Sequence, residues 1–279
     1  MKLRLLFLAA GVLVLFLVVR RWPDARSRGP TENLHETRLA RHLLARGEWQ
    51  TYNGPTGHIH YRSNSYTTRT LPQISITVDS ARKAVLGFLQ LRDAEPIEVF
   101  FVDSRAEMQQ LIGRPLGGIV QSGERTALLV HNETYSPFLV HELTHLYTHH
   151  HWGAPRTGRW ISEGMAALAG GDCQGHTLAA LVKGLHDDQK LRSWPDLVAR
   201  FDSIDEIAGN LQAASMVEFL WQQRGLRAVR NLWMTEDWQP APELERAWLA
   251  RVQGAPASAR LDLPRLRSEG CVSSESANS

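Results

Sequence analysis

Apolar and polar positions follow three rhythms along this chain, and each predicts a different kind of element. The first is an unbroken apolar run from Leu5 to Val19, with Lys2 and Arg4 before it and Arg20, Arg21 and Trp22 after it. Fifteen residues of helix reach about 22 Å, so the run crosses a hydrocarbon core of about 30 Å only if the arginines snorkel and Trp22 sits at the interface. Val18, Val19, Arg20 and Arg21 are large, and no A-x-A-like cleavage site comes after them. Residues 1–29 therefore read as an uncleaved signal anchor, a membrane segment, rather than a removed signal peptide. A positive-inside count would leave the remainder of the chain in the cytoplasm. Long domains translocate largely regardless of charge, however, and the expected placement is extracytoplasmic, periplasmic or at the cell surface.

The second rhythm is helical. Leu34, Leu39, Leu43 and Leu44, among many charges, predict a juxtamembrane helix within Thr31 to Arg46. Leu71, Ile74, Val78, Ala81, Val85 and Phe88 recur at spacings of three and four, which overrides their β-branched members and predicts an amphipathic helix covering a sheet. The third rhythm is that of strands. After a turn at Asn53-Gly54-Pro55, Ile59 and Tyr61 alternate with His58, His60 and Arg62; Pro96 to Val102 reads as a buried strand, Ala106 to Ile112 as a short helix, and Ile119-Val120 and Thr126 to His131 as further strands.

From Ser136 on the pattern is helical: a segment opened by Ser136 as N-cap and Pro137 in the first turn, Trp160 to Leu168 closed by Gly170-Gly171, His176 to Leu185, and Pro195 to Phe201. A capping box of Ser203 and Glu206 opens a further turn, and two more helices come after it, Leu211 to Trp221, apolar nearly all round, and Pro242 to Val252. Gly254-Ala255-Pro256 starts a polar tail to Ser279, expected to be disordered. The fold class expected is α+β: one domain over 30–253, with a small mixed sheet and covering helix followed by a helical lobe, between an N-terminal hydrophobic helix and the tail 254–279.

Composition narrows this picture. A chain of 279 residues has room for one domain with a full core. Its net charge of +2 and scattered arginines, with no basic stripe among aromatics, give no footprint for nucleic acid. Cys173 and Cys271 are the only cysteines; one disulfide and two free thiols are equally open. Oligomeric state is not encoded in these patterns.

The chemistry concentrates in His141-Glu142-Leu143-Thr144-His145, an H-E-x-x-H on a helix-like segment. Residues four apart on a helix lie about 40° apart around the axis and about 6 Å along it, so two imidazoles can share one metal ion. Glu142, rotated about 100° from His141, is placed to act as general base on water rather than as a ligand. A catalytic zinc needs three protein ligands and an open position. Glu163, eighteen positions beyond His145, is the candidate third ligand. His149 lies one turn beyond His145 on the same face and reads, with His150 and His151, as a polar helix end.

The stretch from His141 to Gly164 resembles the gluzincin metallopeptidases, in particular small peptidase-MA-like proteins, whose H-E-x-x-H is followed by W-x-x-E-G-x-A. Trp160, Glu163, Gly164 and Ala166 stand in those places. More weakly, Ser215 to Leu220, ending at Arg224-Gly225, is similar to the family's buried late helix. The resemblance implies a gluzincin (thermolysin-like) catalytic domain, one Zn2+ held by His141, His145 and Glu163, Glu142 as catalytic base, and a peptide or protein as substrate. It also suggests that the strand Thr126 to His131 borders the cleft and pairs with extended substrate.

The chain departs from the family at several points. Ala167 stands where thermolysin-like members have an Asp that orients a ligand histidine. No Tyr lies beyond Tyr147 to stabilise an oxyanion, which leaves His176, His186 or Ser215 as donors, and Glu218 as a glutamate of the rim. The G-x-M-E-N segment of aminopeptidases is missing, which favours an endopeptidase. Two other functions stay open: an inactive membrane-tethered scaffold on a peptidase fold, and a zinc amidase acting on cell-wall peptides.

Overall fold

The computed structural model describes residues 39–269. The signal-anchor segment 1–29 lies outside the described residues, and no helix among the described residues is long and apolar enough to cross a membrane. The first half of the described chain runs α1 (Leu39–Ala45), β1 (Trp49–Asn53), β2 (Gly57–Arg62), α2 (Tyr66–Phe88), β3 (Ile97–Val102), α3 (Arg105–Ile112), β4 (Gly118–Gln121) and β5 (Thr126–Val130). The second half is helical: α4 (Leu139–Trp152), α5 (Arg159–Gly170), α6 (Leu178–Asp187), α7 (Trp194–Arg200), α8 (Glu206–Trp233), α9 (Pro242–Gln253) and α10 (Leu263–Glu269). The architecture is α+β, with a small mixed sheet ahead of the helices.

The five strands lie in the order β1-β2-β3-β5-β4. The β2–β3 and β3–β5 pairs are parallel, and the two outer pairs are antiparallel. A parallel pair needs a crossover, and α2 supplies it between β2 and β3. Strand alternation sends Ile59, Tyr61, Val99, Phe101, Ala127 and Leu129 to one face, where they share a core with Ile74, Val78, Ala81 and Val85 of α2 and with Leu139, Leu143 and Leu146 of α4. The three-and-four spacing of α2 thus marks a buried stripe, and Ser65 caps that helix by accepting from Thr68 N–H.

Several expectations are corrected. β5 is paired on both sides and wholly buried, so it cannot border an open cleft; the sheet edge on that side is β4, where Ile119-Val120 marks a strand but not its place in the sheet. Helix α4 begins at Leu139, not Ser136. Phe138 holds the N-cap place without a side-chain bond, and its carbonyl accepts from Glu142 N–H. At α8 the cap is Asp205, accepting from Ala208 N–H, rather than Ser203. The tail also orders beyond Gly254: Ala259 N–H donates to the Ala180 carbonyl, and Leu266 packs with Leu181 and Cys173. Isolated leucines in a polar sequence leave no periodic trace. Cys173 is disulfide-bonded; Cys271, the other cysteine, is outside the described residues.

Helix α8 breaks at Gly225 (φ 78°, ψ 165°), a conformation open to glycine. The last turns beyond the break end on the loop between α4 and α5. The Trp233 carbonyl accepts from Arg156 N–H at 2.8 Å, Trp233 Nε1–H donates to the Gly153 carbonyl at 2.9 Å, and Thr157 Oγ1–H donates to the Thr235 carbonyl at 2.8 Å.

Candidate metal centre

Helices α4 and α5 are joined by a short loop, with Gly153 (φ 79°) and Gly158 (φ 120°) in conformations that side chains disfavour. Each helix buries one side. Leu143, Leu146, Tyr147 and Trp152 anchor α4, and Trp160, Ile161 and Met165 anchor α5. Their remaining faces bring His141, His145 and Glu163 together. His141 Nε2 lies 3.1 Å from His145 Nε2, and both are 3.5 Å from Glu163 Oε2.

Chemistry tests whether this triangle fits an ion. Two imidazole nitrogens and one carboxylate oxygen converge there on a single point. A point equidistant from the three atoms lies about 2 Å from each, and zinc takes N and O ligands at about 2.0–2.2 Å. The fit is therefore good in both donor type and spacing. Side-chain exposures of 21, 14 and 12 % leave an approach from solvent.

Among the described residues a second triad, Asp93, His150 and His151, also converges. Its centre is taken: Arg125 donates from Nη2 to Asp93 Oδ1 and from Nη1 to His150 Nε2, and His151 Nε2 lies 2.7 Å from Asp93 Oδ2. A guanidinium there already supplies the positive charge.

Around the first triad, α5 supplies more than a ligand. Arg159 Nε–H donates to Glu163 Oε1 at 3.0 Å, and its Nη1–H to Asp202 Oδ1 at 3.1 Å. Glu163 thus has one oxygen on the histidines and the other on Arg159. Ser162 Oγ lies 3.0 Å from His145 Nδ1 and 2.9 Å from His149 Nε2, so His145 has a polar partner on the residue before Glu163. Sequence reasoning missed Ser162, Arg159 and Asp202. The only signal was His149 one turn beyond His145, which here faces the site's partner residue rather than ending the helix idly.

The two carboxyls are driven apart. Burial raises the Glu142 pKa above its usual value, with His141 and His145 pulling the other way and Glu163 adding to the rise. Burial would raise Glu163 as well, but hydrogen bonds and charge from His141 and His145 outweigh it and hold that carboxyl well below the usual range. Opposite shifts in neighbouring carboxyls separate a permanent anion from a group that can exchange a proton.

Glu142 stands against the edge strand. A Cβ on Gly118 would come within 2.5 Å of Glu142 Oε1 and 2.7 Å of its Cδ, closer than atoms pack. Gly118→Ala is accordingly expected to displace the carboxylate and to cut any turnover that depends on it by about 10²-fold, the cost of a small misplacement of a reacting group, while leaving the His141–His145–Glu163 triad in place. Unaltered turnover in that variant, measured beside its metal content, would free Glu142 from the strand.

Of the remaining predicted donors, Ser215 and His186 engage residues outside this site through their side chains, and His176 pairs there through its backbone. Ser215 Oγ accepts from Trp248 Nε1–H at 3.0 Å, His186 pairs with Asp187 and Gln253, and the His176 backbone bridges Cys173. Glu218 pairs with Arg251 at 3.0 Å.

No protein-family model matches this sequence, and no curated protein matches it. Among solved structures, one similar chain is an aminopeptidase N family protein from Idiomarina loihiensis, at 11% identity and a TM-score of 0.36, covering 79% of this chain and 48% of that one. This chain spans about half the length of that protein. A likeness of that size assigns neither fold nor function.

Proposed function

We propose that this chain is a zinc-dependent hydrolase of peptide bonds, an endopeptidase, with His141, His145 and Glu163 holding the metal and Glu142 acting as general base. The observation that carries the reading is the convergence of three ligand atoms within 3.5 Å of one another, with the half-buried Glu142 carboxyl one residue from the first of them and set against Gly118 of the edge strand. When bound, zinc supplies Lewis-acid polarisation of a carbonyl and acidifies water at its open position.

The chain's own groups do the rest. Glu142, deprotonated, accepts a proton from the attacking water and returns it to the nitrogen of the leaving amine as the C–N bond breaks. Arg159 keeps Glu163 to one inward oxygen, which preserves an open position. Edge strand β4, rather than β5, offers backbone groups for an extended substrate to join by β-augmentation. We also assign residues 1–29 to membrane anchoring, with the domain on the extracytoplasmic side.

Elemental analysis of the full chain, purified without added metal, tests the reading against His145→Ala. One zinc per wild-type chain and none in the variant is the expected result. A folded wild-type chain that refuses added zinc would leave a scaffold on a peptidase-like fold.

A further inference from the structure

We propose that Ser162 and His149 are positioning residues that set the tautomer of His145, through a one-way hydrogen-bond chain from His145 Nδ1 to Ser162 Oγ to His149 Nε2. The proposal rests on His145 acting as a ligand through Nε2. Its geometry is on α4 and α5: His145 and His149, four residues apart on one helix face, both present a ring nitrogen to the same buried hydroxyl, at 3.0 and 2.9 Å. Ser162 is only 4 % exposed.

A hydroxyl has one proton to give and lone pairs to receive, so the two bonds cannot both be donated by serine. A lone pair on His145 Nε2 requires the ring proton on Nδ1, and that N–H then donates to Ser162 Oγ. The serine proton is left to point at His149 Nε2, which accepts it, with the His149 proton on Nδ1. The reverse order would have Ser162 donate to His145 Nδ1. That would put a proton on His145 Nε2, 3.1 Å from His141 Nε2, where it blocks the ligand position. With Ser162 donating to His149 Nε2, His145 is held in its ligating form before any ion arrives. The Trp233 ring, edge-on to His149 at 5.5 Å between centroids, keeps that acceptor in place.

The test reads the tautomer directly. Long-range 1H–15N spectra of the metal-free full chain with labelled histidine, at pH 8, should show His145 protonated on Nδ1 in the wild type. Ser162→Ala and His149→Phe should shift it toward the Nε2-protonated form. Chelator competition should show zinc affinity falling about 10–100-fold in Ser162→Ala, as for lost outer partners of metal ligands, and returning in Ser162→Thr. A wild-type His145 protonated on Nε2 would overturn the proposal, as would variants that keep both tautomer and affinity. Because the tautomer is read without metal, it decides the proposal even in a chain that binds no zinc, an outcome that would count against the hydrolase reading alone.

Discussion

Glu142→Gln should lower turnover by about 10²–10⁴-fold, the usual worth of a general base, while the protein keeps one zinc per chain. Glutamine has the same shape and no basic oxygen, so it fits against Gly118 without the clash that a Cβ there would bring. Glu142 is also absent from the triad of converging ligand atoms, so its loss leaves the metal held. The pH profile carries the sign. The base works only when deprotonated, and burial lifts its pKa above the ordinary 4.5. As pH falls, kcat/KM of the wild type should therefore drop as Glu142 takes up its proton, and the residual activity of the glutamine variant should lack that limb. Zinc retained with unchanged hydrolysis would remove Glu142 from the reaction. Zinc lost would make it a ligand.

Gly164→Val should destabilise the fold by about 1–3 kcal/mol or more, the range for overpacking a filled interior, and should weaken zinc binding as well. A Cβ at 164 would meet the carbonyl carbon and oxygen of Ala213, both at 2.8 Å, and Val217 Cγ2 at 3.0 Å. Two of those atoms are backbone and cannot swing aside, so α5 must move off α8. Glu163, one residue earlier, moves with it. For a chain of this size each kcal/mol corresponds to roughly 2–4 °C of melting temperature. Gly170→Ala is the matched control on the same helix, because nothing lies within 4 Å of its Cβ position. Equal melting temperatures for the two variants would mean that the α5–α8 contact has slack.

Part of this site is legible in the sequence and part is not. His141 and His145 are readable because a single helix fixes their spacing, and Glu163 because its helix carries its own apolar stripe and glycine stop. The covering helix α2 is readable from its three-and-four recurrence. Ser162, Arg159 and Asp202 are not, since their roles depend on how one helix is rotated against another, and rotation leaves no period in the sequence. Gly118 is hidden for a different reason: an edge is a property of strand order, and β4 comes after β3 in sequence but lies beyond β5 in the sheet.

The break at Gly225 bears on the order of assembly. All three candidate ligands lie within residues 141–163, yet the loop joining their helices is tied down by Trp233 and Thr235. Contacts so distant along the chain are closed late, because loop-closure entropy must be met first. During synthesis the nascent polypeptide would carry its complete ligand set for some seventy residues before that tie exists. The loop between the two helices would then be fixed only once the last turns of α8 have left the ribosome.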